Sequence, residues 1–320
     1  MAETHIRQRL AFHGDGVVGG LSQMSTAVGT KIWIRRGAAP VGAEIAGVDL
    51  AQEIDAATFE QISSAYYEHS VVVFRDQSLT PAQQIAFSRR FGDLEIHVLK
   101  QYLLPGHPEI LVISNILEDG KPIGLADADR VAVWHTDTSY RKAPSAGSAL
   151  YALEVPRNEA GEVVGDTLFA STFLAYDALP PDMKRRLTGL KAVHHMTKGY
   201  DRDADAPATR IRYDDSQRSE IPDQAHPIIR THPVTGRKCI YVNKLCVTGI
   251  LGMPESESVP LLEEIYAHCT RPEFIYRHKW RAGDLLMWDN CSLQHLAVQD
   301  YALPQRRRMH RTTIAGSVPF

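Results

Sequence analysis

The sequence predicts a mainly β protein with flanking helices, a double-sheet jelly roll. Most apolar segments in the C-terminal two thirds are short and either alternate with polar residues or run continuously, as strands do. Helical spacing is confined to a few stretches, which would pack outside the sheets. No G-x-G-x-x-G follows a predicted strand, and neither a phosphate-binding loop nor a G-x-S-x-G motif occurs. Nucleotide-binding and serine-hydrolase folds are therefore not supported.

The first part of the domain combines short strands with two helices. Apolar runs predict strands at 31–36, 43–50 and 71–75. Residues 57–70 have apolar side chains at helical spacing. Residues 79–92 begin with Thr80 as N-cap, Pro at the first helical position and Gln83 three residues after the cap, which is a capping box in sequence form. Gly92 is a plausible end of this helix.

The remainder is mostly strands. They are predicted at 109–115, 147–155, 166–170, 226–232, 238–243, 274–280, 284–290 and 309–316. His-Pro-Val-Thr-Gly at 232–236 predicts the turn of a hairpin between two of them. Helices are predicted at 172–190 and 256–270.

Composition restricts the class of protein. The 320 residues are 44% hydrophobic and 23% charged, as in ordinary globular domains, and the net charge of −3 offers no basic field for nucleic acid. No apolar stretch has the length of a membrane span or of a secretory signal core. The four cysteines lack C-x-x-C spacing, which favours reduced thiols in the cytoplasm. We expect residues 1–29 to be a loosely ordered extension and residues 30–320 to form one domain.

The segment VWHTDTSY at 133–140 is a candidate metal motif. In an extended strand His135 and Asp137 point to the same side. The chain contains three His-x-acid triplets where chance supplies roughly one or two, so the motif alone proves little. His295, shortly after Trp-Asp-Asn, would complete a set of two histidines and one carboxylate, although alone it would be an ordinary loop or core histidine. That set is typical of non-haem Fe(II) oxygenases.

Two arginines near the C-terminus suggest an anion site. Arg307 and Arg311 are four residues apart, so both face one side of a strand. A guanidinium binds a carboxylate bidentately with a permanent charge. The alternative is a solvated edge strand whose charges block pairing with another chain.

The longer motifs resemble those of one family. The segments WHTD, GDTLFAS, HPIIRTHP, YVN, WDN-x₄-H and PQRRRMHRTTIAG are similar, in this order, to those of the taurine/2,4-D dioxygenase family. These enzymes are Fe(II)- and 2-oxoglutarate-dependent oxygenases with a cupin-like double-stranded β-helix. The resemblance runs from about residue 30 to the end of the chain.

The resemblance implies roles for individual residues. The implied iron ligands are His135, Asp137 and His295. The residues implied to hold the carboxylates of 2-oxoglutarate are Thr167 and Arg307. The implied contacts to an acidic substrate are His97, Arg311 and Tyr200, the last of which a core or surface tyrosine would explain equally well.

The implied activity is hydroxylation of a small anionic organic substrate with release of succinate and CO₂, using O₂. Sulfonates such as taurine, alkyl sulfates and aryloxyalkanoates are the candidate substrates, and a homo-oligomer is expected. The loops 116–133 and 156–165 are longer than usual in the family, which leaves the substrate open. Two alternatives are a metal-dependent hydrolase on the same His/Asp/His set and a catalytically silent binding module. A hydrolase has no need of a dicarboxylate pocket at Thr167 and Arg307, and a silent module would be expected to have lost a ligand.

Overall fold

The computed structural model describes residues 31–126, 132–196 and 222–320. The predicted extension at 1–29 lies outside these residues. The described strands are β1 (Trp33–Arg36), β2 (Ala43–Ala46), β3 (Val71–Phe74), β4 (Leu103–Leu104), β5 (His107–Ser114), β6 (Leu117–Glu118), β7 (Lys121–Pro122), β8 (Gly147–Glu154), β9 (Thr167–Ser171), β10 (Lys191–His194), β11 (Gln224–Pro227), β12 (Ile229–Thr231), β13 (Lys238–Ile240), β14 (Val247–Ile250), β15 (Ile275–His278), β16 (Leu285–Asp289), β17 (Leu293–Ala297) and β18 (Arg308–Ile314). The described α-helices are α1 (Ala56–His69), α2 (Pro81–Ser88), α3 (Thr172–Asp177), α4 (Pro181–Leu187) and α5 (Glu255–Cys269).

Two sheets form the body of the protein. The larger has eight strands in the order β1-β2-β3-β16-β8-β18-β5-β4, and a smaller one has the order β15-β9-β17. Buried side chains from both sheets share one core, among them Leu150, Phe169, Leu286, Leu293 and Met309. This is the predicted mainly β jelly roll, and the prediction is confirmed.

The central strands of the large sheet are apolar on both faces because both are covered. In β16, Leu286 and Trp288 face the smaller sheet, whereas Leu285 and Met287 pack beneath α1 and α2. Continuous apolar runs such as VVVF and LLMW follow from this double burial. The same alternation makes β18 present Met309 to the inner core and leaves Arg311, two residues on, on that face.

The capping signals in the sequence act as predicted. Thr80 accepts from the backbone N–H of Gln83, whose side chain in turn accepts from the Thr80 backbone N–H at 2.8 Å. Helix α2 ends at Ser88, a 3₁₀ turn follows at Arg89–Phe91, and Gly92 comes directly after it. The long segment that follows, residues 93–99, therefore leaves the helix at a defined point.

Several boundaries differ from the prediction. The segment 172–190 is two helices, because Pro180 and Pro181 cannot continue α3 but can begin α4. The segment 226–232 contributes to two sheets, β11 and β12. The strands that were not predicted are β4, β6, β7, β10, β14 and β17. The hairpin turn at 232–236 is confirmed, since β12 and β13 pair antiparallel on either side of it.

Within the described ranges, no helix has the length and apolar character needed to cross a membrane. The four cysteines are all buried and free, in agreement with the prediction of reduced thiols.

Candidate metal centre and its cavity

One rung of backbone hydrogen bonds joins the two candidate histidines. The N–H of His135 donates to the carbonyl of His295 at 3.0 Å, and the N–H of His295 donates to the carbonyl of His135 at 2.8 Å. Residues that exchange both bonds lie directly opposite each other in an antiparallel pair. The two imidazoles are consequently side by side, with ring centroids 4.1 Å apart.

Asp137 completes the group. Its Oδ1 lies 3.8 Å from Nε2 of His295, and all three residues offer a ligand atom within 4.8 Å of one another. All three are buried. The structure thus brings together the three residues that the sequence marked as metal ligands.

The protonation states suit a divalent transition metal. Nδ1 of His135 lies 2.8 Å from the carbonyl of Val133, so it carries the proton and Nε2 is the ring atom with a lone pair. Burial, His135 and Arg311 lower the pKa of His295 to about 3, so this imidazole is neutral at pH 7. Burial raises the pKa of Asp137, but Arg311, the two histidines and a hydrogen bond from Ser148 outweigh it and hold that pKa well below its usual range. Two neutral imidazoles and one carboxylate are the states that metal binding requires.

A second buried group, His232, Asp289 and Cys291, also has ligand atoms within 4.8 Å of one another. Its polar atoms are already used within the protein. Nδ1 of His232 accepts two backbone N–H groups, and Nε2 lies 2.8 Å from Oδ2 of Asp289. Burial raises the pKa of the Cys291 thiol to about 12, so it is protonated. We interpret this group as an internal hydrogen-bonded pair that fixes the end of β16.

Arg307 is a buried cation in the cavity that His135 and Asp137 also line. It is 4% exposed. Its Nη1 donates to the carbonyl of Gly165 at 3.0 Å and to the hydroxyl of Tyr301 at 3.3 Å. In the described part of the chain it forms no ion pair with a carboxylate, and its Nε has no hydrogen-bond partner. A buried guanidinium with these partners retains donors for an anionic ligand.

Thr167 is connected to Arg307 through the side chain of Trp280. The indole N–H of Trp280 donates to Oγ1 of Thr167 at 3.0 Å, which leaves the hydroxyl proton of Thr167 for another acceptor. The guanidinium of Arg307 lies 5.8 Å from the Trp280 ring centroid. Gly165 is required here, because its φ is +78° and a Cβ would lie 2.9 Å from the Tyr301 ring and 3.1 Å from Nη1 of Arg307.

Arg311 contacts the metal cluster directly. Its Nη1 lies 3.3 Å from Oδ1 of Asp137, and its side chain is 16% exposed. A second acid, Glu95, lies nearby: burial raises its pKa, and the charges of Arg141 and Arg311 oppose the rise without reversing it. Glu95 is paired with Arg141 at 2.6 Å. Arg311 is thus the arginine next to the metal cluster, and Arg307 lies farther along the same cavity.

A cavity beside these groups has a volume of about 560 Å³, within the range of small-molecule sites, and neither Thr167 nor His295 is among the residues that line it. Its polar lining includes His97, His135, Asp137, Arg307 and Arg311. His97 comes from the loop after α2, and its Nδ1 accepts from the Leu99 N–H at 3.2 Å. Apolar side chains form much of the remaining wall: Leu99, Ile113, Leu125, Tyr140, Leu245 and Leu303. Tyr200, the remaining residue implied by the resemblance, lies outside the described residues.

Several residues at the site were not found from the sequence. Tyr301 contacts Arg307, and it precedes the PQRRRMHRTTIAG segment without being one of the residues to which the resemblance gives a role. Trp280 ends a strand-like run and carried no signal of its own. Ser148 donates to Oδ2 of Asp137 at 2.9 Å, but the sequence shows it only as a small residue in a strand.

Comparison with known proteins gives consistent matches along the chain. A family model described as "Taurine catabolism dioxygenase TauD, TfdA family" matches residues 34–313. Pentalenolactone F synthase of Streptomyces arenae is 34% identical over 85% of this chain and 91% of that protein. Alpha-ketoglutarate-dependent 2,4-dichlorophenoxyacetate dioxygenase of Cupriavidus pinatubonensis is 35% identical over 85% of this chain and 93% of that protein. The crystal structure of AAD-2 in complex with Mn(II) and N-oxalylglycine is 30% identical, with a TM-score of 0.75 over 90% of this chain and 98% of that chain.

Proposed function

The chain belongs to the TauD/TfdA family of 2-oxoglutarate-dependent dioxygenases, and from that membership we propose that it hydroxylates a small anionic organic substrate with Fe(II), 2-oxoglutarate and O₂. Succinate and CO₂ are the products from the cosubstrate. The candidate substrates are sulfonates such as taurine, alkyl sulfates and aryloxyalkanoates.

The observation that carries this proposal is Arg307. A buried guanidinium without a carboxylate partner in the described chain is costly unless an anion neutralises it. Thr167, through Trp280, adds a hydroxyl proton in the same region. A carboxylate of 2-oxoglutarate would satisfy both donors. A hydrolase on the same His/Asp/His set has no use for such a pocket, so this pair favours the oxygenase.

His135, Asp137 and His295 would hold the iron. Together with 2-oxoglutarate, the bound iron supplies the oxidising power for attack on an unactivated C–H bond. The protein's own part is to keep the two imidazoles adjacent, through the rung between residues 135 and 295, and to keep His295 neutral through burial. Three protein ligands leave coordination positions for the cosubstrate and O₂.

The charges favour an anionic substrate. With a dication and a dianionic cosubstrate bound, Asp137, Arg307 and Arg311 leave one positive charge in the cavity, because Glu95 and Arg141 cancel each other. A substrate anion beside Arg311 would neutralise it, and His97 would be a further contact. The apolar wall of the cavity would enclose the body of the substrate and exclude water.

The test is succinate formation with Fe(II), 2-oxoglutarate and a panel of taurine, hexyl sulfate and 2,4-dichlorophenoxyacetate. We expect activity with at least one acid, and we expect His135→Ala, Asp137→Ala and His295→Ala each to abolish it. His107→Ala is the matched control, because His107 belongs to another His-x-acid triplet but lies in β5 outside the metal cluster. Activity with Zn²⁺ alone, or in the ligand variants, would contradict the proposal.

Two further expectations concern the location and the assembly of the protein. A cytoplasmic location and a homo-oligomeric state stay predictions. Light scattering of the purified protein at several concentrations would measure the oligomeric state.

A further inference from the structure

We propose that Ser148 is a positioning residue for the metal-binding carboxylate, and that Trp288 and Asn290 fix the direction of its hydrogen bond. This inference rests on the proposed metal site. It concerns Ser148 in β8, Trp288 in β16 and Asn290 directly after β16, and Trp288 and Ser148 lie opposite each other in the sheet. Their side chains form a chain of hydrogen bonds that ends at Asp137.

This series of hydrogen bonds begins at the indole N–H of Trp288, a group that can only donate. The indole N–H of Trp288 donates to Oδ1 of Asn290 at 3.0 Å. The orientation of the Asn290 amide is therefore determined, because its oxygen must face the indole. Its NH₂ group then faces the opposite way and lies 3.4 Å from Oγ of Ser148 and 3.1 Å from Oγ of Ser145.

This arrangement determines what Ser148 does with its single proton. Its oxygen accepts from the Asn290 amide, so its proton is directed elsewhere. It lies 2.9 Å from Oδ2 of Asp137 and donates there. The hydrogen bond holds one carboxylate oxygen and leaves Oδ1 on the side of His295. The rotation of the carboxylate, and with it the face that meets the metal, is thereby set.

Burial makes these bonds hard to replace. Ser148, Asn290 and Trp288 are 0%, 1% and 3% exposed, so water is not at hand to substitute for a lost donor. The alternation of side chains in β16 explains the Trp-Asp-Asn sequence. Trp288 and Asn290 serve Asp137, whereas Asp289 between them points the other way to His232.

The test measures affinity for Mn(II) in metal-free protein, by titration calorimetry, together with the melting temperature. Partners that orient metal ligands typically contribute ten- to hundred-fold in metal affinity. We expect Ser148→Ala to weaken Mn(II) binding by about ten-fold or more. Ser292→Ala is the matched control, because Ser292 is also buried and donates to a buried carboxylate, Oδ2 of Asp289 at 2.6 Å, that does not face the metal. It should lower the melting temperature and leave Mn(II) affinity unchanged.

A second variant tests the direction of the hydrogen bonds in this series. Trp288→Phe keeps an aromatic ring against His295 but removes the N–H, so the Asn290 amide loses its fixed orientation. We expect Mn(II) binding to be weaker than in the wild type, and we expect this loss of affinity to be smaller than in Ser148→Ala. Wild-type affinity in Ser148→Ala, or equal losses in Ser148→Ala and Ser292→Ala, would overturn the inference. If the wild type itself failed to bind Mn(II), the proposed function would fail at the metal site.

Discussion

Arg311 donates from Nη1 to Oδ1 of Asp137 at 3.3 Å, and the same oxygen lies 3.8 Å from Nε2 of His295. A permanent cation is thus in contact with a proposed metal ligand. Its charge holds the pKa of Asp137 low, so the carboxylate is ionised before any metal binds. A metal bound to Asp137 would neutralise part of the carboxylate charge that Arg311 now pairs with. Contact with a second anion would then stabilise the Arg311 charge.

The first prediction is that Arg311→Ala strongly weakens substrate binding. Decarboxylation of 2-oxoglutarate in the absence of substrate should be nearly intact, since Arg307 is unchanged. Mn(II) affinity should not fall, because the variant removes a positive charge beside the metal. Arg311→Lys should rescue substrate binding only in part, as a point charge does not reproduce the planar fork. Loss of both activities together with the melting temperature would instead show that Arg311 supports the fold.

The second prediction concerns the neighbouring arginines at 306 and 307. Arg307→Ala should raise the KM for 2-oxoglutarate on the order of tens- to hundreds-fold and spare Mn(II) binding, because it removes one partner of a buried charged pair. Arg306→Ala is the control, since Arg306 is exposed and pairs with Glu154 at 3.0 Å. It should leave that KM unchanged. An unchanged KM for 2-oxoglutarate in Arg307→Ala would show that another residue holds the carboxylate of 2-oxoglutarate.

The third prediction is that the Glu95–Arg141 ion pair positions the loop that carries His97. Glu95 also donates its backbone N–H to Thr313 in β18 at 2.8 Å, so the loop is held from two sides. Glu95→Gln and Arg141→Met should each raise the substrate KM about ten-fold through misplacement of His97. The KM for 2-oxoglutarate should not change.

An exposed pair provides the comparison for this effect. Arg89 and Glu109 also lie 2.6 Å apart, and Arg89 is largely exposed. Glu109→Gln should leave both KM values unchanged, because surface pairs contribute little. Equal effects of Glu95→Gln and Glu109→Gln would argue against a positioning role.

The fourth prediction is a pH dependence of stability. Burial raises the pKa of Asp289, but His232, Ser292 and the Cys291 N–H outweigh it and lower that pKa below its usual range. A lowered carboxylate pKa contributes stability that is present above the unfolded pKa of about 3.9 and is lost as the pH falls further. Asp289→Asn should therefore lower the melting temperature at pH 7, and its difference from the wild type should narrow as the pH falls below about 4. A constant difference from pH 7 to pH 3 would count against the assignment.

The sequence was sufficient for the fold class and for naming the three residues that the structure brings together as a candidate metal site. Strand alternation and the capping box at Thr80 are local signals, and the structure reproduces them. His135 and Asp137 were found because a spacing of two residues places side chains on one side of an extended segment. The family motifs then identified His295, whose strand β17 had no periodic signal of its own.

Other features of the site depend on pairing between distant segments, which no local pattern reports. Ser148 lies opposite Trp288 because β8 pairs with β16, and the loop after α2 is fixed against β18 by the bond from Glu95 to Thr313. The contact between Arg311 and Asp137 is of the same kind. The spacing of Arg307 and Arg311 predicted a shared side, but the side chain that each would meet is decided by the fold.

The rung between His135 and His295 also constrains when the centre can form during synthesis. The two residues of the pair are half of the sequence apart, with His135 before β8 and His295 in β17. A growing polypeptide therefore cannot assemble the three proposed ligands until the segment that carries His295 has left the ribosome. Before then His135 and Asp137 form at most an incomplete chelate, which would bind metal weakly and with little selectivity. Binding of an ion by the complete set would accordingly follow the pairing of these two segments.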